Sequence, residues 1–182
     1  MSGNNEDKSI IQYSPAYGCF NEGYKYWDDL EDLGEKQLLN LKITKIRIYS
    51  GKFNGKDVIL GVGFTYKDIN TGEEKVIEHK GSDDFIDVKE FEINQDEYLT
   101  DFHIRFTNDA EYITQLGYST NKQNSILVGT EEGDDKYIDS NGGKYIIVGS
   151  IGCVKKKLDA TGILFIDKEK YFQLQKDNQN LK

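Results

Sequence analysis

Ile147-Val-Gly-Ser-Ile-Gly-Cys-Val-Lys-Lys-Lys-Leu-Asp-Ala-Thr-Gly-Ile163 reads as two β-strands joined by a tight loop. The loop carries Lys155, Lys156 and Lys157, and the chain re-enters the sheet at Asp159. A rigid loop that sets one carboxylate beside consecutive backbone N–H groups suits a polyhydroxylated ligand. The carboxylate accepts from two hydroxyls while the amides donate back. This pattern points to sugar binding rather than catalysis.

Outward from that hairpin the same pattern recurs. From Tyr13 to Asp167, β-branched and aromatic residues alternate with polar ones, as in Ile43-Thr-Lys-Ile-Arg-Ile-Tyr49, Ile59-Leu-Gly-Val-Gly-Phe-Thr-Tyr66, Lys75-Val-Ile-Glu-His79, Lys89-Glu-Phe-Glu-Ile93 and Lys144-Tyr-Ile-Ile-Val148. Turn chemistry separates them: Lys52-Phe-Asn-Gly55, Asp68-Ile-Asn-Thr-Gly72, Gly81-Ser-Asp-Asp84, Glu131-Glu-Gly-Asp-Asp135 and Asn141-Gly-Gly143. A single proline, Pro15, leaves the ladders almost uninterrupted. Helix signals are sparse, with one turn expected near residues 30–40. The fold class is therefore all-β, with residues 1–12 a disordered polar segment, 13–167 the domain, and 168–182 a polar tail. The tail could form a frayed helix through Tyr171 and Leu174, but its polarity favours a loose segment. An apolar–Thr–polar–apolar step recurs at Ile43, Leu99 and Ile113. It fits either similar sheets arranged about an axis or the ordinary pattern of strands.

Composition narrows the function. With 32 acidic against 23 basic side chains, the net charge of −9 repels phosphate backbones and anionic lipid, so nucleic acid is excluded as a partner. The apolar runs are too short for a transmembrane segment. An N-terminus without an apolar signal core predicts a cytoplasmic location, or export by an unconventional route. Cys19 and Cys153 are too few for a disulfide scaffold and form no CxxC pattern. His79 and His103 stand in strands with no patterned nucleophile, and Glu131–Asp135 lacks the ligand spacing of a calcium loop. No enzyme, metal or cofactor is expected.

Taken together, these stretches resemble the jacalin-like lectin family over most of the chain, from about Tyr17 to Asp167. The resemblance is carried in order by Trp27-Asp-Asp29, Ile43-Thr-Lys-Ile-Arg-Ile-Tyr-Ser-Gly51, Asp96-Glu-Tyr-Leu-Thr100, Ser119-Thr-Asn-Lys122, Gly129-Thr-Glu131, Gly142-Gly-Lys144, and Ile147-Val-Gly149 leading to Leu158-Asp-Ala-Thr-Gly162. It implies a β-prism of three four-stranded sheets with pseudo-threefold symmetry. It also implies a non-catalytic carbohydrate-binding function toward a mannose-like or related sugar, whether a mono- or oligosaccharide or a glycoprotein glycan, and it permits a homo-oligomer.

By the same resemblance, the sugar lies between a glycine loop around Gly18 and a Gly-x-x-x-Asp loop ending at Asp159, with the amides of Lys156 and Lys157 facing it. The motif departs from the family at Lys155, which stands in place of glycine, and at Cys19, which follows Gly18. Those departures carry an alternative: an interaction module that has lost neutral-sugar binding and recognises a protein, an anionic glycan or a phosphoinositide through Lys155–Lys157. The resemblance brings Cys19 and Cys153 into neighbouring loops, where pairing and chance placement both remain open. Trp27, at the start of the first strand, is expected to anchor the core.

Overall fold

A computed structural model of the chain describes residues 9–81 and 87–180. Its strands in chain order begin with β1 (Gln12–Tyr13), β2 (Tyr17–Gly18), β3 (Lys25–Asp28), β4 (Leu41–Phe53) and β5 (Lys56–Asp68). Next come β6 (Glu74–Lys80), β7 (Asp87–Glu92), β8 (Leu99–Phe106) and β9 (Ile113–Thr120). The last four are β10 (Ser125–Gly129), β11 (Asp134–Ile138), β12 (Tyr145–Val154) and β13 (Leu158–Asp167). Among the described residues there are also three helices, α1 (Asp29–Leu33), α2 (Glu35–Leu38) and α3 (Lys168–Asn180).

The strands form three antiparallel sheets of one plan, a central hairpin flanked by two edge strands. Their orders are β6-β5-β4-β7, β10-β9-β8-β11, and β13-β12-β3 with β1 and β2 end to end along the outer edge of β13. Each sheet is thus four strand positions wide, the expected β-prism. In β8, Phe102 and Ile104 point into the core while Asp101, His103 and Arg105 point outward. That alternation is the period-2 pattern of a half-buried strand. Ile46 and Phe64, Ile104 and Leu116, and Leu164 and Ile166 bring the three sheets to one common core. The central hairpins end together: the β4–β5 turn has positive φ at both Asn54 and Gly55, as the Asn-Gly signature requires.

The two aspartates after Trp27 have separate roles. Asp28 caps α1, accepting from Leu30 N at 2.8 Å and Glu31 N at 3.3 Å, while Asp29 turns inward. The helix near 30–40 is realised as two short ones, broken at Gly34.

The chain ends differ from expectation. Of the 1–12 segment, residues 1–8 lie outside the described residues, but Ile11 is buried and Gln12 pairs with Phe165. An apolar side chain and an open ladder edge outweigh the polarity of the flanking residues. The tail is also ordered, as α3, with its last two residues outside the described set. Asp167 caps it by accepting from Glu169 N and Lys170 N, and Tyr171 is buried with its hydroxyl donating to Leu41 O at 3.2 Å. The turn expected at 81–84 falls outside the described residues from position 82. Tyr171→Ala is expected to cost about 2–4 kcal/mol, because it leaves a cavity and an unsatisfied carbonyl. Urea unfolding of the full chain measures it, and a loss below about 1 kcal/mol would show that α3 is not docked.

Candidate functional site

Gly18 and Asp159 are brought together as the family resemblance implies. Gly18 pairs with Ala160 across the edge of β13, and Cys19 N donates to Asp159 O at 2.9 Å. The approach requires glycine: φ at Gly18 is +126°, and a Cβ there would stand 2.1 Å from Asp159 O.

The carboxylate itself is closed off. Asp159 is 2% exposed; its Oδ2 accepts from Lys155 N at 2.8 Å and its Oδ1 is ion-paired with the Lys157 ammonium. Lys157 is 5% exposed, and its Nζ also lies 5.1 Å from the ring centroid of Tyr112. Tyr112 belongs to a small apolar cluster with Tyr49, Val58 and Leu60 at the convergent hairpin ends, and Lys56 covers the same ring at 4.8 Å. A lysine in a three-residue turn ordinarily points to water. Here an aromatic face and a carboxylate are both within reach of its stem, so the ammonium turns in.

Two expectations change in consequence. Both Asp159 oxygens are occupied from within the chain, so the carboxylate is not free to accept two ligand hydroxyls in this state. The basic loop presents Lys155 and Lys156 to solvent, not three ammonium groups. The Lys156–Lys157 peptide, expected to face a ligand, packs against Gly81, where a Cβ would sit 2.4 Å from Lys157 N.

Cys19 and Cys153 are free thiols, with Cys153 Sγ 3.6 Å from Cys19 O. Burial, and then the charge of Asp159, push the Cys153 thiol up to about 12. Because the thiolate is the nucleophile, Cys153 is expected to resist Ellman's reagent at pH 8 in the folded chain. Half-buried Cys19 should react first, and the second equivalent should appear only on denaturation. Two fast equivalents in the native protein would contradict this burial.

A second constellation escaped the sequence reading. Asp29, 0% exposed, accepts through Oδ2 from Tyr66 Oη at 2.6 Å, Ser150 N at 2.8 Å and Ser150 Oγ at 3.1 Å. Its Oδ1 lies 3.3 Å from His79 Nε2. Trp27 is the core anchor expected: it stacks on the His79 ring at 4.2 Å and donates from Nε1 to Ser150 Oγ at 3.0 Å. Serine, histidine and aspartate meet here, but Ser150 and Asp29 are sealed from solvent and Ser150 Oγ bonds the carboxylate. The group ties sheets together.

At the acidic turn, Asp135 is engaged by His103 and Arg105, while Glu131, Glu132 and Asp134 are exposed. Among the described residues, no three His, Cys, Asp or Glu side chains are arranged to hold a metal ion. A cleft of about 850 Å³ lies at the opposite end of the prism between Lys42, Tyr98 and Phe172. No helix among the described residues is long and apolar enough to cross a membrane.

Known proteins share this architecture. Jacalin-related lectin 44 of Arabidopsis thaliana is 29% identical over 146 residues, which are 80% of this chain but 22% of that protein. The chain thus spans about a fifth of the length of that curated relative. A mannose-binding jacalin-related lectin from Ananas comosus superposes with a TM-score of 0.66 at 18% identity, covering 87% of this chain and 99% of its own. Calystegia sepium agglutinin does so with a TM-score of 0.65 at 21% identity, covering 86% and 97%. The family model described as the Jacalin-like lectin domain matches residues 15–164, the span that holds the three sheets except β1 and the end of β13, and both loops of the Gly18–Asp159 contact. With sheet plan, loop contact and family model in agreement over that span, the chain belongs to the jacalin-like lectin domain family.

Proposed function

We infer that this domain is a non-catalytic carbohydrate-recognition module whose saccharide site lies at the convergent hairpin end, between the Gly18 loop and Asp159, and that Lys157 holds this site closed. The observation that carries the reading is the Gly18–Asp159 contact: a backbone position only glycine can occupy, set against the strand that bears the carboxylate. The mannose-binding description of the Ananas comosus relative supports the ligand class.

Magnitudes decide what the closed state does. A single shallow sugar site of about millimolar affinity is worth about −4 kcal/mol. Breaking a buried ion pair costs about 3–5 kcal/mol. A neutral monosaccharide gains too little to expel Lys157, whereas an acidic one gives the released ammonium a new partner. Several copies on one assembly would raise avidity further.

The expected result on a glycan array is weak or absent neutral-sugar binding by wild type, and neutral-sugar binding gained by Lys157→Ala. Adding Asp159→Asn to that variant should remove the gain. If neither wild type nor Lys157→Ala binds any saccharide, the reading is lost.

The sealed carboxylate favours a second reading, an interaction module that has lost neutral-sugar binding and uses Lys155 and Lys156. Running the array at low and high salt separates the two. Anionic hits that vanish at high salt support the lysine tip, and silence in every arm supports a protein partner.

A further inference from the structure

The loop joining β2 to β3 and the strand after it leave two aromatic rings in solvent. Phe20 and Tyr26 are 47% and 55% exposed, with ring planes within 6° and centroids 6.3 Å apart. An exposed apolar pair rimmed by polar groups marks a contact surface. The rings are held in place. Tyr26 sits in β3 opposite Cys153, and its hydroxyl donates to Asn21 O at 3.0 Å. The Asn21 amide in turn donates to Tyr24 Oη at 3.3 Å and to Cys19 Sγ at 2.9 Å.

The rim of this platform is cationic. Lys155 Nζ lies 5.6 Å over the Tyr24 ring, and Lys156 next to it in the chain is exposed. Glu22 is an exposed acid on the β2–β3 loop, while the Lys157–Asp159 pair is internally neutral. On a chain of net charge −9, two exposed lysines on the β12–β13 loop, one of them over Tyr24, form a local exception.

We propose that Phe20 and Tyr26 form a stacking subsite for the apolar ring face of an acidic saccharide, with Lys155 meeting its carboxylate. The proposal rests on the carbohydrate-recognition reading but not on the opening of Asp159. The sugar ring covers apolar area on the aromatic faces, and the ion pair orients it. Lys157 stays in place, so binding here avoids the cost that disfavours neutral sugars at the carboxylate.

Saturation-transfer NMR on the full chain tests the contact, with tri-galacturonate as probe and its methyl ester as the neutral control. Saturation should pass from aromatic protons of the protein to the sugar ring C–H groups. The double variant Phe20→Ser/Tyr26→Ser should weaken tri-galacturonate binding by about tenfold or more. Lys155→Ala should weaken the acid by roughly three- to fivefold and leave the ester unchanged, with the difference shrinking as salt rises. Both rings are exposed, so thermal midpoints should hold. The subsite is overturned if wild type shows no transfer, if the double variant binds as wild type does, or if ester and acid bind equally. Array hits that survive the double variant would remove the subsite and keep the carbohydrate reading. Silence of wild type and Lys157→Ala toward every saccharide would remove both.

Discussion

Replacing Asp29 with alanine is expected to destabilise the fold by about 3–5 kcal/mol. The reason is the number of partners left behind. Tyr66 Oη, Ser150 N and Ser150 Oγ all donate to one carboxylate oxygen, and His79 approaches the other, with no solvent to replace it. Each buried donor left unsatisfied costs about 1–3 kcal/mol, and the cavity adds to that. Asn at this position keeps the shape and part of the acceptor capacity, so Asp29→Asn should cost less, about 1–2 kcal/mol. Because Asn keeps the volume, the loss that remains in Asp29→Asn reports the altered hydrogen bonding, and the further loss in Asp29→Ala includes the cavity. Urea unfolding at pH 7 gives both values. An alanine variant within about 1 kcal/mol of wild type would mean that the network does not hold the sheets together. The group joins strands far apart in sequence: Tyr66 from β5, His79 from β6, and Ser150 from β12.

That separation explains why the network was invisible in the sequence while the prism was not. The hairpins are local: Phe102 and Ile104 alternate with His103 and Arg105, and Asn54-Gly55 specifies its own turn. Local patterns of this kind can be read directly from the chain. Nothing adjacent to Asp29 distinguishes it from Asp28, yet one caps a helix and the other is buried among partners 37 to 121 residues away. Trp27 was legible as an anchor over a sugar-stacking platform because the family motif it resembles sets it at the start of the first strand. α3 carried two readable signals, the Asp167 cap and the three-residue spacing of Tyr171 and Leu174, which its overall polarity concealed. At the candidate site, Gly18 and Asp159 were legible as neighbours. The inward turn of Lys157 was not, because it depends on Tyr112, supplied by the turn between β8 and β9.

The Lys157–Asp159 pair gives the second large effect, expected as non-additivity. Asp159→Leu leaves an ammonium buried against Tyr112, and Lys157→Met leaves a carboxylate buried beneath a thioether. Each single change should cost about 3–5 kcal/mol, because an uncompensated charge remains inside. The double change Lys157→Met/Asp159→Leu removes both charges while keeping apolar volume, and should cost less than either single change, within about 1 kcal/mol of wild type. The cycle should therefore return a coupling of several kcal/mol, far above the roughly 0.2–1 kcal/mol of an exposed pair. With side-chain exposures of 6% and 3%, the coupling should persist at high salt, where a surface pair would be screened. Additivity of the two single changes within about 0.5 kcal/mol would show instead that the ammonium spends its time in water. The same number governs ligand access. A strongly coupled pair keeps the carboxylate closed to neutral sugars and shifts recognition toward ligands that meet the exposed lysines and rings, whereas a weakly coupled pair would let Lys157 swing aside for any sugar that fits the Gly18 loop.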